Sequence, residues 1–104
     1  MSVTTVYVVF GNRDEALRIG RIVIEERLAA CINVLGPCTS LYWWEGAVTQ
    51  SDEVPALLKT TAARTDALVE RIAELHGYEV PAIVVWPIER LTASFGDWVE
   101  NEVR

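Results

Sequence analysis

The chain is short of the side chains that carry most protein chemistry. Its 104 residues include one histidine, two cysteines and one methionine. A lone His76 excludes a histidine cluster, and Cys31 and Cys38, seven apart, match no zinc-ligand spacing. No apolar run approaches the ~18–20 residues of a membrane span. The opening residues, Met-Ser-Val-Thr-Thr-Val-Tyr-Val-Val-Phe, carry no basic n-region and lead straight into a structural element. A cytoplasmic protein without a membrane partner is expected. Positive charge is scarce, with nine Lys and Arg against fifteen Asp and Glu and a net charge of −6, which argues against nucleic acid as a partner. There is no Gly-rich phosphate loop, no supported Ser/His/Asp set and no paired-carboxylate signature. Acid–base work would rest on His76, Glu79 or Lys59, and nothing singles out a reaction, so an enzyme is not expected. The cysteines read as two small, half-buried thiols rather than a disulfide.

What the chain does have is apolar material: 51% of its residues are hydrophobic, ample for one domain over residues 1–104. Val3 to Phe10 is β-branched and aromatic and reads as a central strand. Gly11 and Asn12 end it, and Asn12 suits the N-cap of a helix from about Arg13 to Leu28, with Asp14 and Glu15 in its first turn. Ala16, Ile19, Gly20 and Val23 fall on one face of that helix. Gly20, costly in a helix interior, implies close approach of helix to sheet. Leu28 to Leu35 enters a second strand, interrupted by Gly36-Pro37.

The stretch Cys38 to Thr61 reads as a long hairpin: a first strand over Leu41–Trp44 and Ala47–Val48, a polar turn over Thr49–Asp52, and a return strand over Val54–Thr61. Tyr42 and Trp44 point one way along the strand, Leu41 and Trp43 the other. Both faces need apolar cover. Helices of the same chain can supply one, and another copy of the chain most simply supplies the other. Pro55 implies an amide turned away from any partner. A second helix starts at Arg64 or Thr65, with Leu68, Ile72 and Leu75 as its stripe and Gly77 placed as a left-handed C-terminal residue. Ala82 to Pro87 is a short strand, and Thr92 caps a last helix carrying Phe95, Trp98, Val99 and Val103. The order is that of the split βαββαβ unit followed by a helix: an α+β fold with helices on one face of an antiparallel four-stranded sheet.

The segments Glu26-Arg-Leu-Ala-Ala-Cys-Ile-Asn33, Ser40-Leu-Tyr-Trp-Trp-Glu-Gly46, Glu53, Leu58-Lys-Thr-Thr61 and His76-Gly-Tyr-Glu-Val-Pro81 together resemble the CutA divalent-cation-tolerance family. The resemblance implies a ferredoxin-like protomer, a homotrimer joined through its long hairpins, and a link to tolerance of copper and other divalent cations without an assigned reaction. It also ties metal binding to a thiol ending the first strand and to histidines before the Tyr-Glu turn. Here that strand ends in Phe10, Leu75 precedes the single His76, Gly77 replaces the usual Pro, and Ala82 replaces the usual Glu. Metal binding is therefore expected to be weak at most, through His76, Glu79 and Cys31. His76 can instead satisfy carbonyls at its helix end. Asn33, Tyr42, Trp44, Glu53, Lys59, Tyr78 and Trp98 are candidates to line a cleft between subunits. That cleft suits a small-molecule sensor of an anionic ligand as the alternative function. Equally, the rings can be interface anchors, and Glu53 with Lys59 an ion pair fixing assembly register.

Overall fold

Val3–Phe10 forms the strand β1, the spine of the molecule, buried throughout except at half-buried Tyr7 and Val9. A computed structural model of the chain describes residues 2–104. After β1 come α1 (Arg13–Glu25), β2 (Cys31–Val34), β3 (Cys38–Trp44), β4 (Ala47–Thr61), α2 (Thr65–Leu75), β5 (Ile83–Pro87) and α3 (Ala93–Glu102). A single 3-10 turn, Ala62–Arg64, leads into α2. The antiparallel sheet runs β2-β4-β1-β5, and β3 joins β4 beyond the end of β2.

The long β4 explains this arrangement. Residues 56–59 pair with β2 and residues 47–53 with β3, so the break at Gly36-Pro37 lies opposite Pro55. The Pro55 carbonyl accepts from Leu35 N–H at 2.9 Å. A strand residue's N–H and C=O face the same side, so the donor that Pro55 lacks would face Leu35 just past the end of β2, and not away from every partner as the sequence implied.

Even-numbered strand residues Val6, Val8, Phe10, Val54, Ala56 and Leu58 form the core with Ala16, Ile19 and Val23 of α1 and Leu68 and Ile72 of α2. A Cβ on Gly20 would stand 2.8 Å from Ile32 Cδ1, which is the close approach its presence implied. The other sheet face is left open. It carries Tyr7 and Leu57 half-buried and Val84 and Trp86 exposed, with Tyr7 stacked on Trp86 at 5.3 Å. At one end, α3 packs Val99 and Val103 against Val3 and Ala30, pinned by Arg27 Nη1 to Glu102 Oε2 at 2.7 Å.

Four further expectations are corrected. The hairpin turn is Glu45-Gly46, not Thr49–Asp52. Both residues have positive φ, 48° and 81°, as a two-residue type I′ turn requires. Residues 49–52 are strand, polar because no helix covers them. Helix α1 stops at Glu25 rather than Leu28, because Arg27 takes φ 63° while Leu28 N–H bonds Val23 O and Arg27 N–H bonds Ile24 O, the Schellman ending. Gly77 is not left-handed: His76 leaves α2 in extended conformation instead. The Thr92 hydroxyl makes no cap bond; its backbone carbonyl accepts from Gly96 N–H.

Candidate functional site

The turn at Glu45-Gly46 sets the register of the hairpin, opposing Trp44 to Ala47, Tyr42 to Thr49, Ser40 to Ser51 and Cys38 to Glu53. Side chains alternate along each strand, so Tyr42, Trp44, Ser51 and Glu53 share one face. The segment between α2 and β5, residues 76–82, runs beside the base of this face. Between them lies a cleft of about 860 Å³, walled by Tyr42, Trp44 and Glu53 on one side and by Gly77, Tyr78, Glu79 and Val80 on the other, with Val9 and Ala82 also lining it. Its volume is in the range of small-molecule sites, about 300–1,000 Å³.

Residues 76–78 are held by named bonds. His76 is buried and lies flat on Phe10, ring centroids 5.2 Å apart and planes 9° from parallel. Its Nδ1 accepts from Tyr78 N–H at 3.0 Å, and its Nε2 meets Val9 O at 2.8 Å. A backbone N–H only donates and a carbonyl only accepts, so the proton sits on Nε2. Glu15, in the first turn of α1, accepts from Gly11 N–H at 3.0 Å and from Gly77 N–H at 2.8 Å, one bond to each oxygen. A Cβ at Gly77 would meet Glu15 Oε2 at 2.7 Å. The use of this glycine is close approach, and its N–H is a donor that a proline would lack.

Tyr78 crosses from this segment to the hairpin and donates its hydroxyl to Glu53 Oε2 at 2.8 Å. Withdrawal from water, with the Glu53 carboxylate as acceptor, pushes the Tyr78 phenol well above its usual range. Glu53 is only 7% exposed, and no Lys or Arg among the described residues forms an ion pair with it. Tyr42 bonds Ser51 Oγ through its hydroxyl at 2.6 Å, steadying the outer wall.

The expected site residues are only partly brought together. Tyr42, Trp44, Glu53 and Tyr78 meet at the cleft, joined by Glu79. Asn33, Lys59 and Trp98 do not. Lys59 pairs with Thr5 and Cys31, six residues along β4 from Glu53 and so roughly 20 Å away at strand rise. Asn33 opposes Leu57, and Trp98 lies on α3 against Phe95. An anionic ligand is not favoured by a cleft whose charged lining is Glu53 and Glu79. Missed from the sequence were Val9, Ser40 and Ser51, all readable from the correct register, and Glu15, whose role depends on the tertiary approach of α1 to residue 77.

The expected metal set does not assemble within the chain. Cys31 lies on the open sheet face beside Lys59, while His76 lies at the other end of β1 against Phe10 and Val9. Both His76 nitrogens are engaged, and the Phe10 ring lies against its face. No group of three or more His, Cys, Asp and Glu among the described residues is arranged to hold a metal ion. Cys31 and Cys38 are both free and half-buried, and burial pushes the Cys31 thiol up.

A split βαββαβ sheet with an over-long hairpin and a terminal helix places the protein in the ferredoxin-like α+β class. The chain belongs to the CutA1 divalent ion tolerance protein family, whose model matches residues 4–102. It is 39% identical to the divalent-cation tolerance protein CutA of Thermotoga maritima over 98 residues, 94% of this chain and 96% of that one. It is 35% identical to the chloroplastic protein CutA 1 of rice over 95% of its own length, but spans only 56% of that protein. The crystal structure of CutA1 from Oryza sativa superposes with a TM-score of 0.96 at 34% identity, covering 100% of this chain and 95% of the other.

Proposed function

We propose that the chain works as a homotrimer in the tolerance of, or response to, copper and other divalent metal ions, without catalysing a reaction and with at most weak metal binding of its own. Family membership supports the tolerance role. The observation that carries the assembly is the hairpin, where Trp43 is 75% exposed and Leu41 68% exposed on one face, while Tyr42 and Trp44 are also open on the other. Large apolar side chains on both faces of a projecting ribbon are unusual for a monomer. They are the material of interface anchors. The open sheet face with Tyr7, Val84 and Trp86 continues the same surface. The engaged nitrogens of His76 support the weak-binding part.

Light scattering on the eluting peak tests the assembly. Three times the 11.6 kDa chain mass is expected; a clean monomer contradicts the assembly. Growth of a host lacking its own family member, challenged with copper and supplied with this chain, tests the tolerance role. Rescue supports it, and no rescue by well-expressed protein contradicts it.

A further inference from the structure

We propose that Glu53 of each copy forms an ion pair with Lys59 of the partner subunit, an inference that rests on the homotrimer proposed above and names the charges that lock its faces together. The starting point is how little charge the sheet carries. Among the described strand residues only Asp52, Glu53 and Lys59 are charged. Asp52 is exposed on the opposite face of β4. Glu53 and Lys59 are both odd-numbered on β4, so they share the face that holds Tyr42 and Trp44 of the hairpin and Tyr7 and Trp86 of the sheet. One acid and one base thus stand on an otherwise neutral face, the one assigned to contact with other copies.

Within the chain neither charge is neutralised. Glu53 is 7% exposed, and its hydrogen bond comes from the neutral phenol of Tyr78 at 2.8 Å. Lys59 is half-buried, with Thr5 and Cys31 beside it on the neighbouring strands. Neither forms an ion pair with any of the described residues. Six residues of strand hold them roughly 20 Å apart, beyond the reach of both side chains. Covering this face with another copy withdraws both charges further from water, which is costly for a carboxylate or an ammonium left alone. The same face supplies the remedy. Rings of identical copies close through head-to-tail contacts in which two different patches meet, and Glu53 and Lys59 are two such patches. Each copy gives its carboxylate to one neighbour and its ammonium to the other, so no charge is left over. Tyr78 holds Glu53 Oε2, leaving Oε1 to meet the partner's ammonium. A buried pair adds little raw affinity; its effect is to reject registers in which the charges do not meet.

The test removes the charges singly and together, and follows the assembly mass by sedimentation through a guanidinium series. Glu53→Gln keeps an acceptor for the Tyr78 hydroxyl, and Lys59→Met keeps the apolar stem. Each single variant strands one charge in the interface, so each is expected to lose its assembly mass at a lower guanidinium midpoint than wild type. The double variant strands none, and its midpoint should lie above those of both single variants. Single variants that match wild type, or a double variant at or below the weaker single variant, would overturn the pair. Should a variant fail to fold, the wild type carries the test, because Lys59 is the only lysine of the chain. A water-soluble carbodiimide condenses a carboxylate with an amine in contact with it. Covalent multiples of the 11.6 kDa chain, with a peptide joining Glu53 to Lys59, are expected. Lys59 joined to another carboxylate, or assembled protein that yields no Glu53–Lys59 peptide, would overturn the pair. A wild-type monomer would overturn the trimer and the pair together, whereas a wild-type trimer with either adverse result overturns the pair alone.

Discussion

His76 stacks flat on Phe10 at 5.2 Å and spends both ring nitrogens on backbone, one on Tyr78 N–H and one on Val9 O. Its role is therefore to hold the segment that carries Tyr78. His76→Ala is expected to leave the heat of Cu²⁺ titration unchanged. It should cost roughly 1–3 kcal/mol of stability, since a backbone donor and acceptor lose their partner. Calorimetry and urea unfolding check the two halves. A large drop in Cu²⁺ heat would restore His76 as a ligand.

Glu15 holds the same segment from the other side. Gly77→Pro removes the donor that meets Glu15 Oε2 at 2.8 Å, a hydrogen bond to a carboxylate worth about 1.5–3 kcal/mol. The variant should lose stability of that order, even though proline is the usual residue of the resembled family at this place. Glu15→Ala should lose as much or more, because Gly11 N–H is orphaned too. An unchanged urea midpoint in both variants would show that this bridge contributes nothing.

The hairpin turn gives a sharper local test. Gly46 has φ 81° with open space around its missing Cβ, so Gly46→Ala is penalised by backbone strain alone, about 1–2 kcal/mol. Glu45, at φ 48°, carries the same strain already, and Glu45→Asn should recover part of it. Thermal melts of the two variants should move in opposite directions.

Alkaline pH should loosen the fold. The Tyr78 phenol is raised above its reference value of 10.0 by burial and by Glu53, and the Cys31 thiol above 9.0 by burial. Below these reference values both folded and unfolded chains hold the protons, and the stability is fully present. As pH climbs past them the unfolded chain releases protons that the folded chain keeps, so unfolding is favoured and stability falls. Urea midpoints between about pH 7 and pH 10.5 should decline, and the Tyr78→Phe, Cys31→Ala double variant should flatten the decline. An equal slope in wild type and variant would contradict the placement of these two groups.

Much of the architecture was legible from residue order. The strand Val3–Phe10 and the stripes Ala16-Ile19-Val23 and Leu68-Ile72 have strong periods, and Gly20 and Pro55 announced a close approach and a ladder gap that the fold contains. The hairpin register was not read correctly. Thr49–Asp52 has turn composition, while the true turn is two residues between Trp44 and Ala47. Polar composition signals a turn only where a strand would otherwise be covered, and this part of β4 is not covered by a helix. That error hid the partners of Ser51 and Glu53. The cleft was half legible for the same reason: Tyr42, Trp44, Glu53 and Tyr78 are on it, whereas Lys59 shares the face of Glu53 but stands too far along the strand. Spacing alone places residues on a face, not at a distance.

In the proposed trimer the hairpin's exposed rings meet other copies of the chain. Sedimentation equilibrium of wild type beside Trp43→Asp tests it most directly. Trp43 is 75% exposed within the protomer, so its replacement should leave the circular dichroism spectrum intact. Wild type should sediment at three times 11.6 kDa, and the variant as a folded monomer. A wild-type monomer, or a variant that keeps the full assembly mass, would contradict the account.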